Sequence, residues 1–236
     1  MSLLPMVATG ASVRRQGKVL IGPVDLRLDG QGVTIVIGPN GAGKTSLLKM
    51  LHGIVRLRTG SVSWNCPVEE ARERQAFVFQ QPVMMRRSVV DNVAYPLRLI
   101  GVPRRAARAE ALEWVKRIGL EAAADRSANV LSGGERQKLA LARALIRKPE
   151  VLFLDEPCAS LDGRATREIE ALLQDAVAAG TRLVMSTHNL GQALRLANEI
   201  ILVARGQIQE HRSAGDFFAG PETPEGRAFL RGDIVE

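Results

Sequence analysis

An α/β fold built on a parallel β-sheet is predicted by three features of the sequence. Short apolar runs rich in β-branched residues, such as Val33–Ile37 and Val151–Leu154, read as strands buried on both faces. Segments with helical periodicity alternate with them. A glycine-rich turn, residues 38–46, stands between one such strand and a helix.

From the N-terminus, residues 7–37 alternate β-rich runs with turn signals. Gly22-Pro23 precedes Val24–Leu28, and Asp29-Gly30-Gln31-Gly32 separates that run from Val33–Ile37, so a small antiparallel element leading into the core is expected. Beyond the glycine-rich turn, Leu47, Met50 and Leu51 fall at i, i+3 and i+4 of a helix that stops at Gly53. Thr59-Gly60 turns into a short strand, Ser61–Trp64, and Phe77-Val78-Phe79 reads as another. Between about 81 and 130 the character changes. Pro82, Pro96 and Pro103 punctuate helical segments, and Arg104–Ile118 carries Ala111, Val115 and Ile118 on one stripe before Gly119. This stretch reads as a helical subdomain inserted into a single βα-alternating domain spanning 1–236. Alternation resumes with a helix from about Glu135 to Ile146, a strand at Val151–Leu154 and a helix from about Arg164 to Ala179. Strands at Leu183–Met185 and Ile200–Ala204 then flank a helix over Leu190–Ala197, as right-handed crossovers require. Past Gly206 the signal fades, and about 213–236 is expected to form a loosely attached tail.

At 236 residues the chain can bury a sizeable core. With 46% hydrophobic and 24% charged residues it reads as soluble and globular. No apolar run approaches the ~18–20 residues that span a bilayer, and no signal-peptide core is present, so a cytoplasmic protein is expected. Cys66 and Cys158 are too few for a disulfide framework and match no metal spacing; both read as reduced thiols. The formal charge of +7 comes from arginines scattered in small groups, with few aromatics to form a base-stacking platform. Solvated faces and compensation of a bound anion are the first reading, a surface facing lipid headgroups the second, and nucleic acid is not an expected partner.

The turn itself, Gly38-Pro39-Asn40-Gly41-Ala42-Gly43-Lys44-Thr45-Ser46, fits the phosphate-loop pattern G-x-x-x-x-G-K-[ST] at every required position. Its glycines let the backbone approach a phosphate chain with the N–H groups turned inward as an anion nest. Lys44 supplies a point charge for β- and γ-phosphates, and the Thr45 hydroxyl suits Mg²⁺. Strand, loop and helix come in the order that points a helix N-terminus at an anion. Alone, the loop does not separate a kinase, a GTPase and a transporter motor. In Val151–Leu154 followed by Asp155-Glu156-Pro157, the strand carries Asp155 to the C-terminal edge of the sheet, where α/β sheets bind ligands. Asp155 would hold Mg²⁺ through water, and Glu156 would orient, or accept a proton from, the attacking water. In Leu131-Ser132-Gly133-Gly134-Glu135-Arg136-Gln137, the S-x-x-E spacing of Ser132 and Glu135 is explained by a helix capping box without any ligand. The two glycines weigh against that explanation alone, because they weaken a helix turn yet open its N–H groups to an anion.

With these motifs in this order, the chain resembles the ATP-binding subunit of an ABC (ATP-binding cassette) transporter from about residue 5 to 212. The phosphate loop comes first. Gln80, in Phe77–Pro82, sits where the family has its Q-loop glutamine, and Leu131–Gln137 is similar to the signature. Val151–Asp155 is similar to Walker B, with Glu156 as the catalytic carboxylate. Ser160-Leu161-Asp162 resembles the D-loop, and His188 the switch histidine. The resemblance implies a P-loop NTPase core with a parallel sheet, an N-terminal antiparallel β subdomain and an inserted helical subdomain. It also implies a homodimer that sandwiches two Mg²⁺-ATP, the signature of one chain completing the phosphate loop of the other. Ser132, Gly133 and Gly134 would then meet the γ-phosphate across the interface, Gln80 would sense metal and water, and His188 would hydrogen-bond the γ-phosphate.

One departure stands out. The family stacks adenine on an aromatic from the first β segment, and that position falls near Arg14 or Arg15 here. Either guanidinium stacking or apolar contacts would have to serve. Cys158 is a tolerated small residue on one reading and an alkylation-sensitive thiol on another. His52 and His211 have no functional context. With no membrane span, separate transmembrane permease subunits are implied, docked near Gln80 and the helical insertion, and a periplasmic solute-binding protein indirectly. The protein would then sit on the cytoplasmic side of the inner membrane. Pro82-Val83-Met84-Met85-Arg86-Arg87-Ser88 most resembles bacterial importers of tungstate-type oxyanions, with amino-acid, phosphate or molybdate uptake as alternatives. A soluble ABC ATPase acting on nucleic acid or ribosomes is the reading from another class, and a small-molecule kinase a third.

Overall fold

The N-terminal strands β1 (Met6–Arg15) and β2 (Lys18–Leu28) form a hairpin whose turn residues Gln16 and Gly17 both have positive φ, the geometry that matches strand twist. A computed structural model describes residues 2–159 and 161–233. β3 (Val33–Ile37) follows, every residue buried, then the glycine loop and α1 (Lys44–His52), which ends on left-handed Gly53. β4 (Thr59–Ser63) returns to β1, giving an antiparallel sheet of order β2-β1-β4. After α2 (Val68–Glu73) and β5 (Gln75–Val78) comes the helical insertion, with α3 (Val89–Leu99) and α4 (Arg104–Arg117).

α5 (Gly133–Leu145) starts two residues earlier than its apolar period suggests, because the Ser132–Glu135 capping box forms and draws both glycines into the first turn. Next come β6 (Val151–Asp155), α6 (Gly163–Ala178), β7 (Arg182–Ser186), α7 (Leu190–Leu196) and β8 (Glu199–Ala204). The chain then departs from the expected loose tail. β9 (Gln207–Ser213) pairs antiparallel with β8, and α8 (Ala214–Ala219) and α9 (Pro224–Arg231) each begin on a side-chain cap, Ser213 and Thr223. Phe217 of α8 is fully buried. The Glu210 carboxylate accepts hydrogen bonds from the N–H groups of Glu222 and Thr223 and from the Thr223 hydroxyl, fixing the start of α9. Helices of six and eight residues are too short to show a period in sequence. Residues 234–236 and Ser160 lie outside the described residues.

The larger sheet has the order β5-β6-β7-β3-β8-β9, parallel except for β9. One face packs Val36, Phe153, Val184 and Ile201 against Leu47, Leu48 and Leu51 of α1, which fills the space between the two sheets. The other packs Ile35, Leu152, Leu154 and Met185 against α5, α6 and α7. Coverage on both faces is why these strands are apolar throughout. A third cluster joins Val90, Val93, Ala107 and Ala111 of the insertion to Leu139, Ala142 and Ile146. α5 thus belongs to two cores, with Ala140, Leu141 and Leu145 in one and Leu139 and Ala142 in the other. The parallel strands all point one way, so the segments leaving β3, β5, β6 and β7 emerge at one edge.

Candidate functional site

At that edge lies a cleft of about 1010 Å³. The phosphate loop forms its floor, and the loop's path excludes side chains at two glycines. A Cβ on Gly38, at φ 146, would stand 2.0 Å from the Val203 carbonyl oxygen; one on Gly43, at φ 113, would stand 2.7 Å from that of Leu20. Gly43 caps α1 without a side-chain hydrogen bond, leaving first-turn N–H groups available to an anion. Lys44 is buried, and its Nζ donates to the carbonyls of Gly38 (2.9 Å) and Pro39 (3.1 Å) while lying 3.7 Å from Glu156 Oε1. Burial holds its pKa below the usual lysine value, opposed by the nearby Glu156 and Asp155 carboxylates.

Under the loop, Thr45 Oγ1 donates to Asp155 Oδ1 at 2.9 Å, and Ser186 Oγ donates to the same oxygen at 2.8 Å. Thr45 and Asp155 are hard oxygen donors of the kind that hold Mg²⁺ beside substrate phosphates, so the donor set fits that ion. Glu156 follows with φ 45, a left-handed backbone uncommon outside glycine, and its N–H is held by Ser186 through the carbonyl (3.2 Å) and hydroxyl (3.0 Å). That turn lifts the carboxylate from the strand end into the cleft. His188 Nδ1 lies 3.1 Å from Glu156 Oε2, and Gln80 Nε2 lies 3.5 Å from the same oxygen. Gln80 and His188, from the ends of β5 and β7, thereby flank the carboxylate that follows β6.

Gly38, Pro39, Asn40, Gly41, Gly43, Lys44, Thr45, Ser46, Gln80, Glu156 and His188 line this cleft. Ala42 is buried, its N–H on the Pro39 carbonyl and its own carbonyl bonded by Gly206 N–H at 2.9 Å. Asp155 is buried beneath the floor. Ser132, Gly133, Gly134 and Asp162 are not in the cleft; they line a separate depression of about 360 Å³ with Lys138 and Arg164. Asp162 acts there as the N-cap of α6, accepting from the N–H groups of Arg164 (2.9 Å) and Ala165 (2.8 Å). Neither signature glycine is required by the chain's own packing. A Cβ on Gly133 would meet no described atom within 4 Å, and one on Gly134 only Ala165 Cβ at 3.4 Å and Leu161 Cδ2 at 3.8 Å.

Arg14 and Arg15 are exposed near the β1–β2 turn and do not line the cleft. The rest of its wall is formed by Lys18, Val19, Leu20, Arg205, Gly206 and Phe229. Sequence reading missed Phe229, which is nearly two hundred residues from the loop, and Ser186, whose only signal was a hydroxyl at a strand end. Burial pushes the Cys158 thiol up to about 11, which argues against the alkylation-sensitive reading. His52 sits edge-on to Phe77 and Phe153, and burial lowers its pKa to about 4.

A phosphate loop and a paired carboxylate at the carboxyl edge of a parallel sheet define a protein of the phosphate-loop nucleotide-binding class. The chain belongs to the ABC transporter family, whose sequence model matches residues 21–159, and is an ABC-type ATPase. It is 36% identical over 82% of its length to the tungstate uptake system ATP-binding protein TupC of Peptoclostridium acidaminophilum, covering 92% of that protein. It is 33% identical over 98% of its length to the phosphate import ATP-binding protein PstB 2 of Natronomonas pharaonis, covering 87% of it. Among solved structures, the ATP-binding cassette MJ0796, a dimer in a post-hydrolysis state bound to ADP and Pi, superposes with a TM-score of 0.78 at 24% identity over 88% of this chain and 98% of that one. That likeness concerns the fold.

Proposed function

We propose that two copies of this chain bind two Mg²⁺-ATP between them and hydrolyse them to drive uptake through separate permease subunits, on the cytoplasmic side of the inner membrane. The observation that carries this reading is the division of the site. Lys44, Gln80, Glu156 and His188 converge on one cleft, whereas Ser132, Gly133 and Gly134 lie outside it. Glycines that the chain itself does not need at 133 and 134 are accounted for if a second copy's phosphates approach them.

In the reaction, the loop N–H groups and Lys44 hold the β- and γ-phosphates. Thr45 and Asp155 would hold Mg²⁺, which supplies neutralisation of charge on the phosphate oxygens. Glu156 orients a water in line with the γ-phosphorus and takes its proton as the bond to ADP breaks. Gln80 keeps that water and the Glu156 carboxylate in register. His188 donates to the γ-phosphate as charge develops, a positioning task. In the free chain the contacts of Lys44 and His188 with Glu156 satisfy these groups locally. Phosphate would draw both away and leave the carboxylate free for water.

A groove of about 280 Å³ beside Gln80 is the proposed permease contact. It is lined by Phe77, Phe79, Pro82, Val83, Pro96 and Arg143, and Val83 is 75% exposed. Among the described residues no helix is long and apolar enough to cross a membrane, which fits a peripheral subunit; contact with a periplasmic solute-binding protein is then indirect. Tungstate or a related oxyanion is the proposed cargo. It is supported by the resemblance of Pro82–Ser88 to such importers and by the 36% identity to a tungstate-uptake protein. Uptake of tungstate by cells, compared between wild type and Glu156→Gln, tests the whole reading. Tungstate uptake that survives Glu156→Gln removes the cargo assignment, and unchanged ATPase turnover in the purified variant removes the catalytic one.

A further inference from the structure

We infer that Phe229 of α9 forms the aromatic wall against which the base of the nucleotide rests, so that the C-terminal helix contributes to nucleotide affinity. The inference rests on the ATP reading of the cleft and adds a residue to it. The chain has six Phe, two Trp and one Tyr. Of these, Phe229 alone lines the cleft among the described residues. It is half-buried, packed on one side against the core beneath α8 and open to the cleft on the other.

Lys44, Thr45 and the loop glycines supply the phosphate-binding part of the cleft, and Val19, Leu20 and Phe229 bring apolar surface to its wall beside Lys18 and Arg205. A purine presents flat π-faces, and an aromatic ring is a side chain that stacks on them. Arg14 and Arg15, the residues nearest the family's stacking position, do not reach the cavity.

Phe229 is also held in register with the phosphate loop. Arg205 and Gly206 form the β8–β9 turn, both with positive φ, and Gly206 N–H bonds the Ala42 carbonyl. The Arg205 guanidinium pairs with Glu225. Glu225 lies four residues before Phe229, on the same face of α9. The ion pair joins the face of α9 that carries Phe229 to the β8–β9 turn, while Glu210 and Thr223 fix where the helix begins.

Titration of the full chain with ADP, and separately with inorganic tripolyphosphate, tests the proposal. Phe229→Ala is expected to weaken ADP binding roughly 5- to 100-fold and to leave tripolyphosphate binding unchanged; Phe229→Tyr should stay within about threefold of wild type. In Phe229→Trp, the added fluorescence should change on saturation with ADP and not with tripolyphosphate. Wild-type-like ADP affinity in Phe229→Ala, equal loss for both ligands, or an unresponsive tryptophan at 229 would overturn the assignment of the base wall alone. Failure of the wild type to bind ADP would overturn the ATP reading and this inference with it.

Discussion

Glu156 carries more constraint than any other side chain in the cleft. Its backbone is left-handed, and its carboxylate is faced by Lys44, His188 and Gln80. Glu156→Gln preserves shape and removes the base, so ATP binding should persist while turnover falls by a factor of roughly 10² or more, as a phosphate-release assay would read. Gly38→Ala makes the opposite prediction. A methyl 2.0 Å from the Val203 carbonyl forces β3 and β8 apart, and destabilisation of about 3 kcal/mol or more is expected in urea unfolding, with nucleotide binding lost. His52 gives a stability prediction with a definite pH range. The unfolded chain protonates His52 near pH 6.5 and the folded chain only near about 4. Stability is therefore full above pH 6.5, falls as the pH drops from 6.5 to 4, and loses nothing more from this group below 4. The loss amounts to up to about 3 kcal/mol. His52→Leu should flatten that slope; a variant whose unfolding midpoint falls with acid as steeply as wild type would show that other groups set it.

At the scale of elements, α5 links the signature to the segment after Gln80. Its N-terminus carries the capping box. Near its other end Arg143 donates to the Val83 carbonyl (2.9 Å) and to Asn92 Oδ1 (3.3 Å). Asn92, fully buried on α3, holds the backbone of Met85, Arg87 and Ser88. Replacing Asn92 with Leu strands several backbone groups, and a loss of about 2–3 kcal/mol is expected in thermal or urea unfolding. The signature end separates stability from function. Gly133 has no neighbour that forbids a methyl, so Gly133→Ala should stabilise the isolated chain by about 0.5–1 kcal/mol while lowering ATPase turnover. A gain in both would remove the glycine's proposed role.

At the scale of the whole molecule, the separation of signature and cleft makes a dimer prediction. Gly134→Asp puts bulk and charge where a second copy's phosphate would lie. In a mixed dimer with wild-type chains, the site damaged should be the one built on the wild-type phosphate loop. Damage confined to the mutant chain's own loop would exclude the head-to-tail arrangement.

Each contiguous motif was legible from sequence, because a loop that must approach phosphate, a strand that must be buried on both faces and a helix that needs a cap each constrain neighbouring residues. Residues 38–46, 131–137 and 151–156 therefore announced themselves, and so did the alternation of strand and helix. Three things depended on tertiary structure. The convergence of Gln80, Glu156 and His188 follows from the order β5-β6-β7-β3, which sequence spacing does not encode. The second hydroxyl on Asp155, from Ser186, exists because β6 and β7 pair in a register that sets Asp155 opposite Ser186. The presence of Phe229 on the cleft wall required α9, a helix too short to show a period, whose start is held by Glu210. Local chemistry is written in neighbouring residues, whereas which distant ends meet is decided by how the strands stack and the helices pack.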